Sequence, residues 1–164
     1  MIFSKADCLK KCYSEYEIEN SIVYVGSPQK AFIKEYVNKY DSDFYEPLSN
    51  RVDLDVFSSK ISDLAISFIL VKDARIAGII VAYFYEPESK KGYITLTHTK
   101  TEFRGQHVAR ALLDSVKTYA KSNGFLYVDL GVYKNNIAAY NLYMNYGFEV
   151  LTDDDIRCNL RLTL

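Results

Sequence analysis

The chain has 164 residues, 20 of them lysine or arginine and 21 aspartate or glutamate, for a formal net charge of -1. Near-neutrality removes the long-range field that would favour nucleic acid or an acidic membrane surface, so any anion site must be local. Hydrophobic residues make up 49% and charged residues 25%, which suits a single domain over residues 1–164 with its own core.

Residues 1–20 form a charged mixture, with a helix expected around 6–13. That segment holds no basic stretch followed by an apolar run, and nothing in the chain reaches transmembrane length. A cytoplasmic protein without membrane or nucleic-acid partners is the expectation. Cys8 and Cys12 would share one face of that helix at i, i+4, but no neighbouring histidine or second cysteine pair completes a metal set. With Cys158 the count is odd, which argues against a disulfide scaffold and for a reducing compartment. Residues 21–25 are β-rich and end at Gly26, and Ser27-Pro28 offers an N-cap and an N1 proline. Ile33, Tyr36, Val37 and Tyr40 then recur at helical spacing, and Asp41-Ser42-Asp43 ends the helix.

The loop 44–51 carries two aromatics, a carboxylate and a guanidinium. Such loops line binding sites or pack down as anchors. Phe44 and Leu48 read as anchors, and Tyr45, Glu46 and Arg51 as candidate substrate contacts. Asp53 can cap a second helix on which Leu54, Phe57, Ile61 and Leu64 share a face. Residues 66–71 and 76–85 read as buried strands around the turn 72–75, and 86–92 as a polar connector. A third strand over 93–99 places Ile94 and Leu96 on one face and Tyr93, Thr95, Thr97 and Thr99 on the other.

Next comes Phe103-Arg104-Gly105-Gln106-His107-Val108-Ala109-Arg110, which joins that strand to a helix whose Val108, Ala111, Leu112, Val116 and Tyr119 share a face. A helix start presents backbone N–H groups without intrahelical partners and partial positive charge, a ready site for phosphate. Asn123-Gly124 stops this helix, and 125–132 returns to strand. Asn135-Asn136 opens another helix with Ala139, Leu142, Tyr143 and Tyr146 clustered and Gly147 as its stop. Residues 148–151 form a short strand, and Cys158, Leu160 and Leu162 alternate with Arg157, Asn159 and Arg161 in the last one. Adjacent strands followed by strand–helix–strand units predict an α/β (α+β) chain with a mixed, mostly antiparallel sheet covered by helices.

Arg104-Gly105-Gln106-His107-Val108-Ala109 resembles the acyl-CoA-binding motif of the GNAT superfamily of N-acetyltransferases, Arg/Gln-x-x-Gly-x-Gly/Ala. Asn136-Ile137-Ala138-Ala139-Tyr140-Asn141-Leu142-Tyr143, followed by Gly147-Phe148, resembles that family's second signature. One departure is visible: His107 stands where the family's glycine falls. The resemblance implies the GNAT-like fold with helices on both sheet faces, acetyl-CoA as co-substrate, a small-molecule amine as acceptor and a homodimer. A protein lysine or N-terminus, or a non-catalytic acyl-CoA-binding role, are the alternatives.

Residue by residue, the resemblance implies that Arg104, Gly105, Gln106, His107, Val108, Ala109 and Arg110 meet the pyrophosphate. Leu96, Thr97, His98 and Thr99 would pair with the pantetheine arm, and Asn136 and Ala139 would contact it. Tyr143 is implied as the general acid for the departing thiolate, a role suited to a phenol; its other reading is one more core aromatic. Tyr93 and Thr95, on the strand before the motif, join the loop residues as candidate substrate contacts. For a general base, Glu46, Asp129 and His98 qualify by chemistry alone, with packing the better account of His98.

Overall fold

The computed structural model describes residues 1–84 and 87–164. Tyr85 and Glu86, where the expected second buried strand ends and the connector begins, lie outside the described residues. In chain order the elements are α1 (Lys5–Cys8), β1 (Leu9–Ile18), β2 (Ser21–Pro28), α2 (Lys30–Tyr40), α3 (Leu54–Leu64), β3 (Ala65–Lys72), β4 (Arg75–Tyr83), β5 (Lys91–Thr99), α4 (Val108–Ser122), β6 (Tyr127–Tyr133), α5 (Ile137–Tyr146), β7 (Glu149–Asp153) and β8 (Arg157–Thr163). The strands form one eight-stranded sheet in the order β1-β2-β3-β4-β5-β6-β8-β7. Among the described residues only the β5–β6 pair is parallel, as the α4 crossover requires. This is the mixed, mostly antiparallel sheet expected.

Helices cover both faces. On one side α2 and α3 pack with Ile69, Ile79, Val81 and Leu96. On the other α4 and α5 pack with Phe68, Ile80, Ile94 and Leu130. The alternate residues of β4 therefore serve different cores, which explains why the strand is apolar throughout. Gly78, inside β4, lets α4 approach: a Cβ there would lie 2.8 Å from the Val108 side chain and from the His98 carbonyl.

Local chemistry sets the ends of the helices that matter for the site. Asp53 accepts a 2.9 Å hydrogen bond from Val56 N and so caps α3, as its position suggests. Asn136 caps α5 through Ala139 N, and Gly147 ends that helix at φ 119°.

Four expectations are corrected. The helix around 6–13 is only the turn α1; from Leu9 the chain pairs with β2 as an edge strand, so Cys8 and Cys12 share no helix face. Ser27 and Pro28 belong to β2, paired with Lys11 and Leu9, and Gln29 stands at the cap position of α2. On α3 it is Ser58, Ile61 and Ser62 that turn inward, whereas Leu64 is 45% exposed. Finally, Ile94 and Leu96 do not share a face. A bulge at Thr95 shifts the register, so that Val81 faces Leu96 while Ala82 faces Ile94. One extra residue flips strand parity, and His98 therefore follows Leu96 into the α2 side.

Candidate active site

Downstream of the bulge, β5 leaves β6. The two pair from Lys91 with Tyr127 to Ile94 with Leu130 and then part. Each keeps its outer partner: β5 stays on β4 to Thr99, and β6 stays on β8 to Tyr133. Two backbone edges thus face a gap without each other's hydrogen bonds, residues 96–99 on one side and 131–133 on the other. A ligand arm bearing amides can satisfy such edges as a strand would.

The gap widens into a cleft of about 220 Å³ that reaches both faces of the sheet. Toward α5 it meets Thr97, Asn136, Ala139 and Tyr143. Thr97 Oγ1 is buried and has no hydrogen-bond partner, an unusual state for a buried hydroxyl. The Tyr143 ring packs edge-on against Phe148 at 5.5 Å. Burial raises its phenol above the ordinary value, against a smaller opposing pull from the Thr97 hydroxyl; the phenol is therefore a proton-bearing donor. Asn136 spends its Oδ1 on Ala139 N at 3.5 Å, and its NH₂ group has no partner among the described residues.

The helix start before α4 forms the second part of the site. Gly105 has φ 74°, with open space where a Cβ would stand. His107 occupies the N-cap position at φ 60° and ψ 19°, and its side chain makes no capping hydrogen bond. The first N–H groups of α4 are left for an anion, in contrast to the capped starts of α3 and α5. Arg104 and Arg110 are exposed beside it; Arg104 Nε reaches Thr99 O at 3.3 Å, and Arg110 lies over the Tyr146 ring at 5.6 Å. Lys72, at the end of β3, hydrogen-bonds Gln106 at 2.8 Å. It is a cation that sequence spacing does not bring to this loop, because only the β3–α4 packing does.

His107 thus takes the left-handed conformation that a glycine would hold freely, at a cost of about 1 kcal/mol for a non-glycine residue. His107→Gly is expected to raise thermal stability slightly and to keep or tighten coenzyme A binding. A calorimetric titration with a large loss of affinity would instead make the imidazole a ligand.

The third part gathers on the α2–α3 side. Tyr45, Glu46 and Arg51 meet Tyr93 and Thr95 in the same cleft. Two residues not singled out as candidates, Tyr133 and Arg157, complete the group. The Tyr133 hydroxyl donates to Glu46, its ring lies 5.4 Å from that of Tyr45, and Arg51 and Arg157 lie over it at 5.9 and 5.0 Å. Hydrogen bonding to Glu46 pushes the Tyr133 phenol up, so it keeps its proton. Strand parity places Tyr133 and Arg157 opposite the apolar face of β6 and β8; pairing of these two strands, which parity does not reveal, makes them neighbours.

The other two base candidates are spent elsewhere. Asp129 forms a bidentate pair with Arg161, 2.8 Å at each oxygen. His98 lies 2.9 Å from the Tyr36 hydroxyl through Nδ1 and 3.0 Å from Asp43 through Nε2, enclosed by the rings of Tyr36, Tyr40 and Phe44. Tyr36 donating to Nδ1 and Nε2–H donating to Asp43 satisfies a neutral ring completely. Burial lowers the His98 value below 6.5, outweighing the opposite pull of Asp43. Because the folded state favours neutral His98, its contribution is complete above 6.5 and is lost as pH falls toward the lowered value. Denaturant midpoints between pH 7.5 and 5.5 should decline with acid more steeply in the wild type than in His98→Gln, which keeps the decline from the Met1 amine, itself lowered to about 6; equal slopes would contradict this.

The sequence profile described as the acetyltransferase (GNAT) family matches residues 31–148. No curated protein sequence matches the chain significantly. Among solved structures, the ribosomal-protein-S18-alanine N-acetyltransferase of Escherichia coli is similar at TM-score 0.68 and 16% identity, covering 86% of this chain and 93% of that one. The PaiA N-acetyltransferase of Thermoplasma acidophilum, solved with coenzyme A, gives 0.65 and 13%, with coverage of 87% and 99%. The IAA acetyltransferase of Bacillus cereus gives 0.66 and 13%, with the same coverage. At these identities the likeness is one of fold.

Proposed function

The chain belongs to the GNAT family of acetyl-CoA-dependent N-acetyltransferases, and on that premise we propose that it acetylates the primary amine of a small molecule with Tyr143 as general acid. Acetyl-CoA supplies the acetyl group in activated thioester form. The observation that carries the reading is the cleft at the β5–β6 divergence, which has Tyr143 and the unpartnered Thr97 hydroxyl on one side and Glu46 on the other.

The residues divide the work. The start of α4, with Lys72, Arg104 and Arg110, provides N–H groups and charge for the pyrophosphate. The free edges at 96–99 and 131–133 hold the arm, and Asn136 offers an amide donor. Glu46, the only carboxylate on the cleft wall among the described residues, receives the ammonium. As the C–N bond forms and the C–S bond breaks, the acceptor ammonium releases two protons. One leaves through Glu46 to solvent, and the other replaces the proton that Tyr143 gives to the thiolate. A small acceptor is favoured over a protein because Phe44, Tyr45, Glu46 and Arg51 wall the cleft.

The test is a panel of amines with acetyl-CoA, reading free thiol release together with the acetylated product. Transfer to small amines supports the reading. Coenzyme binding without transfer to any amine would establish a binding module instead, and transfer only to peptides would move the acceptor class.

A further inference from the structure

Resting on the small-amine reading, we propose that the acceptor is a free apolar α-amino acid, its ammonium received by Glu46, its carboxylate by Arg51 and Arg157, and its side chain by the groove beside Tyr93.

Charge at the acceptor end is the first argument. The whole chain has a net charge of -1, yet the cleft wall here carries two guanidiniums and one carboxylate. On that wall an amine acceptor without an anion, such as a polyamine, would meet two guanidiniums and one carboxylate. Those guanidiniums are also available. Arg161, on the same face of β8, is closed by its bidentate pair with Asp129. Arg157 has no such partner among the described residues, and the nearby Asp154 spends its Oδ1 on the backbone N–H groups of Ile156 and Arg157. Arg51 reaches Glu46 only at 4.0 Å.

Placement is the second argument. Gly131 lets the Arg157 guanidinium lie across the sheet: a Cβ at that position would stand 2.6 Å from Arg157 Nη2 and 3.4 Å from the Tyr93 hydroxyl. Arg157 thereby crosses β6 toward the diverging strands rather than projecting into solvent. A planar fork over the cleft suits a carboxylate close to the reacting nitrogen.

The third argument is the groove. A mostly apolar groove of about 680 Å³ between α3 and the sheet joins the cleft at Tyr93 and Thr95; Val52, Val56, Phe57 and Tyr83 supply its apolar wall, and Asp53, Lys60 and Lys91 also line it. Val56 is 65% exposed and Val52 39%, so apolar surface here is uncovered where an acceptor side chain would lie. Ammonium, carboxylate and apolar body radiate from one carbon in an apolar α-amino acid, and the three wall features meet around Tyr93 and Tyr133.

The experiment compares L-phenylalanine and L-leucine with their amides, phenethylamine and spermidine, in wild type and in Arg51→Gln and Arg157→Gln. Acids should exceed the matching amides at least tenfold in kcat/KM, and the acid-to-amide ratio should fall toward one in the variants, mainly through KM. In the wild type, 3-phenylpropionate should compete with the amino acid and not with acetyl-CoA, a result that needs no variant to fold. Amides or spermidine used as well as the acids, or a ratio preserved in both variants, would overturn the amino-acid proposal and leave the N-acetyltransferase reading standing. Transfer to no amine at all would remove both.

Discussion

Tyr143→Phe is expected to lower kcat by roughly 10²- to 10³-fold, the range of a lost general acid, with coenzyme A affinity little changed. The prediction rests on what the substitution leaves intact. Phenylalanine keeps the ring against Phe148 and fills the same buried volume. The hydroxyl it removes makes no completed hydrogen bond to Thr97, whose Oγ1 has no partner. Folding stability should therefore stay close to wild type, since no paired buried group is stranded. What goes is a phenol whose burial raises its pKa above the ordinary 10.0, so that it holds its proton at neutral pH and has one to share with the thiolate as the C–S bond breaks. Steady-state thiol release and a coenzyme A titration on the same preparation separate the two quantities. Turnover at the wild-type rate would make Tyr143 one more core aromatic.

The parts of this site that were legible in the sequence are those set by contiguous residues. Asp53 and Asn136 cap their helices because an acceptor side chain precedes an apolar period, and Gly147 ends α5 because it can adopt positive φ. The Arg104-to-Ala109 loop joins a strand to a helix, as its composition implies. The parts that were not legible depend on pairing between distant segments. The bulge at Thr95 is a register fact of the β4–β5 pair, and no period within residues 93–99 announces it. Yet it turns Leu96 and His98 toward α2 and Thr97 toward Tyr143. Lys72 reaches Gln106 only through the packing of α4 on β3. Tyr133 and Arg157 meet Glu46 and Arg51 because β8 enters between β6 and β7, which the order of strands along the chain does not disclose. The candidate side chains gather where the sheet departs from regular pairing, and that departure is a property of the whole sheet.

Glu46→Gln is expected to lower kcat/KM for the amine by about 10²-fold at neutral pH and to narrow that deficit as pH rises. An aliphatic amine with a pKa near 10 is neutral in only about one molecule in a thousand at pH 7. A carboxylate beside it supplies both an attraction for the ammonium and an acceptor for its proton. The Tyr133 hydroxyl donates to Glu46 and holds its carboxylate at the cleft wall, with Arg51 4.0 Å away. Glutamine preserves the size and one acceptor oxygen but removes the charge and the basicity. At higher pH the solvent does the deprotonation, so wild type and variant should converge as the amine's own pKa is approached. The two functions separate in the kinetics: loss of the ammonium contact raises KM, whereas loss of the base lowers kcat at saturating amine. The Tyr143→Phe deficit should persist across the same range, because free hydroxide cannot replace a positioned acid. If Glu46→Gln instead leaves kcat/KM unchanged at pH 7, the acceptor arrives neutral and Glu46 serves only to hold Tyr133.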